Sequence, residues 1–152
     1  MLYTERLTIC PASDEELREL IDAEPAEEMK SAYREMLAGC LEYPERRQWY
    51  ALWRIRTKDG MHIGDLCFKG VSAEGSTEIG YGILPEYWGR GYATEAAAAA
   101  VSWALRQPGI ASVEAETDSG NIASQRVLEK LGFTATGQMG EEGPLFAVRA
   151  DN

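Results

Sequence analysis

The segment from residue 77 to residue 106 constrains this chain more than any other. Residues 77–84 have a strand pattern, Trp88-Gly89-Arg90-Gly91 is a glycine-spaced turn, and residues 92–106 form an alanine-rich stretch stopped by Pro108-Gly109. Alanine loses no side-chain freedom in a helix, so the sequence predicts a strand that enters a long helix through a glycine turn. Gly89 and Gly91 carry no Cβ, which lets backbone N–H groups come close to a ligand. The helix start adds unpaired N–H groups and the positive end of its dipole. Such an arrangement suits a pyrophosphate, although glycines before a helix serve equally as a plain turn. The spacing is neither that of a phosphate loop ending in Gly-Lys-Ser/Thr nor the Gly-x-Gly-x-x-Gly of dinucleotide binders, so nucleotide hydrolysis and hydride transfer lose support.

The other elements follow from periodicity. Leu7 and Ile9 alternate with polar neighbours in a short strand at 6–10 that Pro11 ends. Ser13, with Glu16 three residues on, predicts a capped helix whose Leu17, Leu20 and Ile21 share one side and which Pro25 limits. A second helix at 26–41 places Met29, Tyr33, Met36, Leu37 and Leu41 together before Pro44. Residues 49–57 alternate as a strand, Lys58-Asp59-Gly60 is a hairpin signal, and strands at 63–69 and 77–84 complete an antiparallel meander. After the alanine-rich helix come a strand at 112–117, a helix at 123–131, and strands at 133–139 and 145–149. Ala123, Val127, Leu128 and Leu131 form the apolar stripe of that last helix. With no repeat, linker or low-complexity stretch, residues 1–152 read as one α/β domain with a mixed, largely antiparallel sheet.

Charge and cysteine usage narrow the partners. Fifteen Lys and Arg against twenty-five Asp and Glu give a formal net charge of −10, which disfavours nucleic acid and anionic membrane surfaces. Between Asp14 and Glu28 eight acids face Arg18 alone, which reads as a solvated helix face or as a rim that attracts a cationic partner. The longest apolar run, 96–101, is far short of the ~20 residues of a membrane span. The opening residues have neither the basic start nor the apolar core of a signal peptide. Cys10, Cys40 and Cys67 make no metal-spaced pair and His62 has no His or Cys beside it, so buried thiols, a loop histidine and no metal are expected. These features predict a soluble, cytoplasmic protein.

Four stretches carry a resemblance to a known family. They are Thr4-Glu5-Arg6-Leu7-Thr8-Ile9; Glu78-Ile79-Gly80-Tyr81; Tyr87-Trp88-Gly89-Arg90-Gly91-Tyr92-Ala93-Thr94-Glu95-Ala96; and Asn121-Ile122-Ala123-Ser124 with Val127-Leu128-Glu129-Lys130-Leu131-Gly132-Phe133. In this order they resemble the GNAT superfamily of N-acetyltransferases, and most of all its Rim-type branch, whose members acetylate ribosomal-protein N-termini. The resemblance implies a GNAT fold of about seven strands and four helices, its sheet splayed between the strands ending at Leu84 and Thr117. Acetyl-CoA would lie in that gap, with no metal. Main-chain groups of Tyr81, Gly82, Ile83 and Leu84 would pair with the pantetheine arm, the glycines beside Tyr81 admitting a bulge. Those of Gly89, Arg90, Gly91, Tyr92, Ala93 and Thr94 would hold the pyrophosphate, while Asn121 and Ser124 would meet the sulfur end. Arg126 and Lys130 read as phosphate partners or as ordinary solvated charges.

The implied reaction is direct attack of a primary amine on the thioester in a ternary complex, the amine belonging to a small molecule or to a peptide N-terminus. Its ammonium form, pKa ~10, must lose a proton, so a base or a water chain is needed. Glu78 is the candidate base, or else an exposed strand acid, and a backbone N–H near Ile83 would meet the oxyanion. Leu128 stands where many family members carry a tyrosine acid; Ser124, one turn earlier, is the available hydroxyl, or equally a helix-start hydrogen-bonding group. Trp88 stands where the family's loop begins with Gln or Arg, and Thr136 stands near a glutamate of Rim-type enzymes. Glu95 is read as structural, at the positive end of its helix. Acceptor contacts are expected from 24–49 and 138–146, where Glu27, Glu28, Glu35, Glu42 and Glu45 with Tyr33, Tyr43, Trp49 and Tyr50 could surround a cationic amine. The alternative is a non-catalytic acyl-CoA-binding module, and a homodimer is the expected assembly.

Overall fold

Residues 1–118, 120–141 and 143–150 are described by the computed structural model. Their strands are β1 (Leu2–Tyr3), β2 (Leu7–Pro11), β3 (Trp53–Thr57), β4 (His62–Phe68), β5 (Ser76–Ile83), β6 (Ser112–Glu116), β7 (Thr134–Met139) and β8 (Pro144–Arg149). The α-helices are α1 (Asp14–Ala23), α2 (Glu27–Glu42), α3 (Tyr92–Leu105) and α4 (Ile122–Lys130), with 3-10 turns at Pro44–Trp49 and Pro85–Tyr87. The sheet order is β1-β2-β3-β4-β5-β6-β8-β7, antiparallel except between β5 and β6. This is the expected mixed α/β architecture; β1, two residues long, is the strand too short to read from periodicity.

Each helix sits where its small or apolar stripe dictates. In α3, Ala96, Ala97, Ala100, Val101 and Ala104 are buried, so the helix backbone lies close on the sheet. Beneath it the core joins Leu7, Ile9, Trp53, Ile55, Phe68, Ile79, Val113 and Ala115. Trp103 of α3 enters an aromatic cluster with Trp49, Trp53 and Phe68, at ring-centroid distances of 5.0, 5.1 and 5.6 Å. Cys67, between the core-facing Leu66 and Phe68, joins a second core on the other face with Leu17, Cys40, Leu52, Met36 and Leu37. The strand alternation thus places α3 on one face and the α1–α2 pair on the other. Ser13 accepts from the Glu16 N–H at 3.1 Å and Glu16 returns a bond to the Ser13 N–H, which completes the expected capping box.

Two local expectations are corrected. Residues 49–52 are not strand: Pro44 starts a 3-10 turn that carries Trp49 into the aromatic cluster, and Tyr50 stacks on Tyr43 at 5.5 Å. Their alternation mimics a strand although half-buried Trp49 packs on the main core while Ala51 and Leu52, just past the turn, are buried in the second one. Nor is there a bulge at Tyr81, since the β4–β5 register runs unbroken from Phe68↔Ile79 to Gly64↔Ile83. The register shifts instead lie in β3–β4, between Ile55 and Arg56, and in β7–β8, between Ala135 and Met139.

The splay comes from β6 instead. β5 pairs with β6 only at Ser76↔Ser112, Thr77↔Val113 and Glu78↔Glu114, after which β5 stays with β4 while β6 continues beside β8 as far as Glu116↔Leu145. The gap therefore opens beyond Glu78. Among the described residues no helix is long and apolar enough to cross a membrane.

Candidate active site

The loop entering α3 leaves backbone N–H groups without acceptors. Gly89 and Gly91 have φ of 77° and 80°, values that favour glycine, and Gly91 is the helix N-cap without a side-chain cap. The first helical bond runs from the Glu95 N–H to the Gly91 carbonyl at 3.1 Å. The N–H groups of Tyr92, Ala93 and Thr94 precede that bond and so lack an acceptor within the helix. They face the same space as the two glycines.

A tether from the chain's start holds this loop. Glu95 accepts from the Thr4 hydroxyl, from the Arg6 N–H at 2.9 Å and from Arg6 Nε at 2.7 Å. Arg6 also donates to the Arg90 carbonyl at 3.0 Å and lies 4.4 Å from the centre of the Tyr92 ring. Burial works against the charge on Glu95, but the hydroxyl, amide and guanidinium donors outweigh it and hold the carboxyl below its ordinary value. Glu95 is structural, as expected, though through this tether more than through the dipole alone.

The strand wall of the gap presents backbone groups at alternate residues. Lys69 donates to the Glu78 carbonyl and Leu84 to the Ile63 carbonyl, both at 2.8 Å, so the even-numbered residues of β5 and Leu84 face β4. By the alternation of a strand, the N–H and C=O of Tyr81 and Ile83 face the gap. The Ile83 carbonyl accordingly accepts from Trp88 Nε1 at 2.6 Å.

Between this wall, the α3 loop and α4 lies a cleft of about 480 Å³. Its lining includes Tyr81, Gly82, Ile83, Gly89, Gly91, Tyr92, Ala93, Thr94, Asn121 and Ser124. Ten of the expected residues thus come together across three elements. Leu84 and Arg90 do not line it: Leu84 is turned to β4, and Arg90 stacks on Tyr87 at 5.6 Å. Tyr87, Trp88, Ala123 and Val127 join the walls without having been singled out for them, although all four lie in the quoted motifs. Asn121 caps α4, its side chain accepting from the Ser124 N–H at 3.0 Å.

At the inner end, the Tyr81 hydroxyl is buried without a hydrogen bond of ordinary geometry. Burial raises its pKa, and the neighbouring Ser124 hydroxyl opposes that shift. Leu128, at the place of the family's tyrosine, is 1% exposed and packed in the core.

Glu78 is absent from this cleft because it projects from the opposite face. Thr77 and Ile79 are buried toward α3, so Glu78 points the other way, as do Ser112, Glu114 and Glu116 on β6. There a second cavity of about 580 Å³ is lined by Lys69, Glu78, Glu116, Met139, Gly140 and Glu141. Lys69 Nζ pairs with Glu78 at 2.8 Å. The two cavities lie on opposite faces of the sheet and share no lining residue.

The expected acidic-aromatic acceptor surround is dispersed. Trp49 belongs to the main core, Tyr33 and Tyr50 pack on the second one, and Glu27 pairs with Arg34 at 3.1 Å. Asp14 and Glu16, part of the acidic run, lie 2.7 and 3.1 Å from Arg47 and Arg56. His62 opens β4 rather than sitting in a loop, and bonds Asp65 at 3.0 Å. Burial pushes the Cys40 and Cys67 thiols up, away from reactivity. No cluster of metal-ligating side chains exists among the described residues.

Residues 5–134 match a family model described as an acetyltransferase (GNAT) domain. The sequence is similar to YoaA, an uncharacterised N-acetyltransferase of Bacillus subtilis (strain 168), at 30% identity over 127 residues, 82% of this chain and 71% of YoaA. The fold is similar to the ribosomal-protein-S5-alanine acetyltransferase from Vibrio fischeri, with TM-score 0.77, 17% identity, and 99% and 97% of the two chains covered. It is also similar to the spermidine N-acetyltransferase from Vibrio cholerae in complex with CoA and spermine, with TM-score 0.74, 15% identity, and 97% of each chain covered. At those identities the two solved structures speak for the fold, while the domain match and YoaA decide the family. The chain belongs to the GNAT family of N-acetyltransferases.

Proposed function

We propose that this enzyme transfers the acetyl group of acetyl-CoA to a cationic primary amine, on a small molecule or a peptide N-terminus, by direct attack in a ternary complex. The observation that carries the reading is the splay with a cavity on each face. Acetyl-CoA fits the α3 side: free N–H groups of Tyr92, Ala93 and Thr94 and the two positive-φ glycines suit its pyrophosphate. The N–H and C=O of Tyr81 and the N–H of Ile83, which face the gap, suit the pantetheine amides, and Asn121 and Ser124 line the same cleft. Bound there, acetyl-CoA supplies an activated thioester.

On the other face Glu78, Glu116 and Glu141 attract an ammonium, and Lys69 anchors the Glu78 carboxylate. Glu78 takes the amine's proton through water, which leaves a nucleophilic lone pair aimed across the gap. A β5 backbone N–H, at Ile83 or Tyr81, meets the oxygen as charge develops on it. The carboxylate on one side and hydroxyls on the other favour turnover over the non-catalytic alternative. The four matched motifs and the likeness to the S5-alanine enzyme support placing the chain in the Rim-type branch, and we place its work in the cytoplasm.

Glu78→Gln tests the assignment. The variant should lose on the order of 10²-fold in kcat and the acidic limb of its pH profile, with the KM for acetyl-CoA unchanged. An unaltered pH profile would remove Glu78 from the reaction.

A further inference from the structure

The glycines that let a ligand approach also leave their own loop under-determined. Gly89 and Gly91 can take φ on either side of zero at little cost, so the Arg90–Gly91 peptide between them is free to turn over. Turned over, it would present a carbonyl oxygen where, on the function proposed above, a pyrophosphate must sit. A contact from outside the loop has to settle its direction.

Arg6 supplies that contact from the far end of the chain. One terminal nitrogen of its guanidinium donates to the Arg90 carbonyl at 3.0 Å. The peptide is trans, so its C=O and N–H point in opposite directions. Gly91 lines the cleft and Arg6 does not, so a carbonyl held by Arg6 leaves the Gly91 N–H directed inward. Among the described residues no backbone acceptor meets that N–H, and those of Tyr92, Ala93 and Thr94 follow it along the same concavity.

The guanidinium is itself fixed. Its Nε donates to Glu95 at 2.7 Å, and its central carbon lies 4.4 Å from the centre of the Tyr92 ring. A Cβ on Gly91 would stand 3.4 Å from its other terminal nitrogen, so the group packs directly behind the loop. Glu95 compensates its charge, which suits a brace more than a direct phosphate ligand. We propose that Arg6 is a positioning residue for acetyl-CoA, holding the Arg90–Gly91 peptide in the direction that makes the Gly91 N–H a donor to the pyrophosphate. A planar fork serves Glu95 and the Arg90 carbonyl at once, whereas a lysine keeps the charge and loses that joint geometry.

The proposal rests on the reading of the α3 loop as the pyrophosphate site, and the test separates the two. Wild type, Arg6→Gln and Arg6→Lys, isotope-labelled at glycine nitrogen, are titrated by NMR with acetyl-CoA and with S-acetylpantetheine, which has the thioester and both amides but no phosphate. The Gly91 amide reports on the loop and the Gly82 amide on the strand wall of the same cleft. In wild type, acetyl-CoA should move both signals, Gly91 downfield as its N–H bonds a phosphate, and S-acetylpantetheine should move Gly82 alone. Arg6→Gln should bind acetyl-CoA about tenfold more weakly, the order of one charge-assisted hydrogen bond, and should lose the downfield shift of Gly91 while keeping the response of Gly82. Its affinity for S-acetylpantetheine should stay within about twofold of wild type, which a general loss of fold would not allow. Arg6→Lys should regain stability but not affinity for acetyl-CoA. Wild-type affinity with a wild-type Gly91 shift in either variant, or an equal loss for both ligands, overturns the role of Arg6. A wild-type Gly91 amide that acetyl-CoA leaves unmoved overturns the reading of the loop, and this proposal with it.

Discussion

Glu95 ties the first motif of the sequence to the third, and its charge makes that tie depend on pH. Its carboxyl is held below the ordinary 4.5 in the folded chain, so on acidification the unfolded chain takes up the proton first. The stabilisation is therefore complete above about pH 4.5 and is lost as pH falls through the lower folded value. Glu16, held down by the Ser13 N–H and Arg56 against its own burial, adds to the same acid limb. Glu95→Gln should destabilise by roughly 1 kcal/mol at pH 7, allowing for solvent screening at the exposed Arg6. That deficit should vanish as pH drops below the folded carboxyl value. Denaturant titrations at several pH values check it, and a deficit that stays constant down to acid pH would deny the tether its charge.

At the scale of elements, what could be read from the sequence was whatever local chemistry decides. The Ser13–Glu16 box, the alanine-rich α3 and the glycine turn before it are set by neighbours within a few residues, and all appear where expected. Residues 49–52 alternate as a strand would, yet Trp49 ends a 3-10 turn and packs on one core while Ala51 and Leu52 pack on the other. The bulge at Tyr81 misled because the glycines there permit a bend that the departure of β6 makes unnecessary. The site divides the same way. Its backbone loop lies within one motif, whereas the Thr4–Glu95 and Arg6–Glu95 contacts and the approach of Ser124 to the buried Tyr81 hydroxyl exist only after residues far apart in sequence meet. The alanines of α3 make a prediction here. Ala100, fully buried, sets how closely the helix rests on the sheet, so Ala100→Leu should cost about 1–3 kcal/mol by overpacking. It should also weaken acetyl-CoA binding, since the N-terminus of α3 moves with the helix. Thermal unfolding with calorimetry checks both, and an unchanged Tm would mean that the helix has slack the buried alanines do not suggest.

At the scale of the whole molecule, the two faces of the sheet differ in what they offer a ligand. The sheet separates a face whose cleft offers backbone donors and helix dipole from a face whose cavity offers carboxylates, and β5 and β6 part beyond Glu78. On the function proposed above, an anionic donor and a cationic acceptor would be received on opposite sides, and a net charge of −10 leaves the donor's site dependent on local N–H groups rather than on bulk attraction. Calorimetric titration of the intact protein with acetyl-CoA, beside ATP and NAD, asks whether the α3-side cleft is the acetyl-CoA site. Wild type should bind acetyl-CoA and neither nucleotide. Gly91→Val should stay folded at a cost of about 1–2 kcal/mol for a branched side chain at positive φ, yet lose that binding, because the side chain stands where a phosphate must approach. Undiminished affinity in Gly91→Val, or no heat from acetyl-CoA with wild type, would contradict the account at its base.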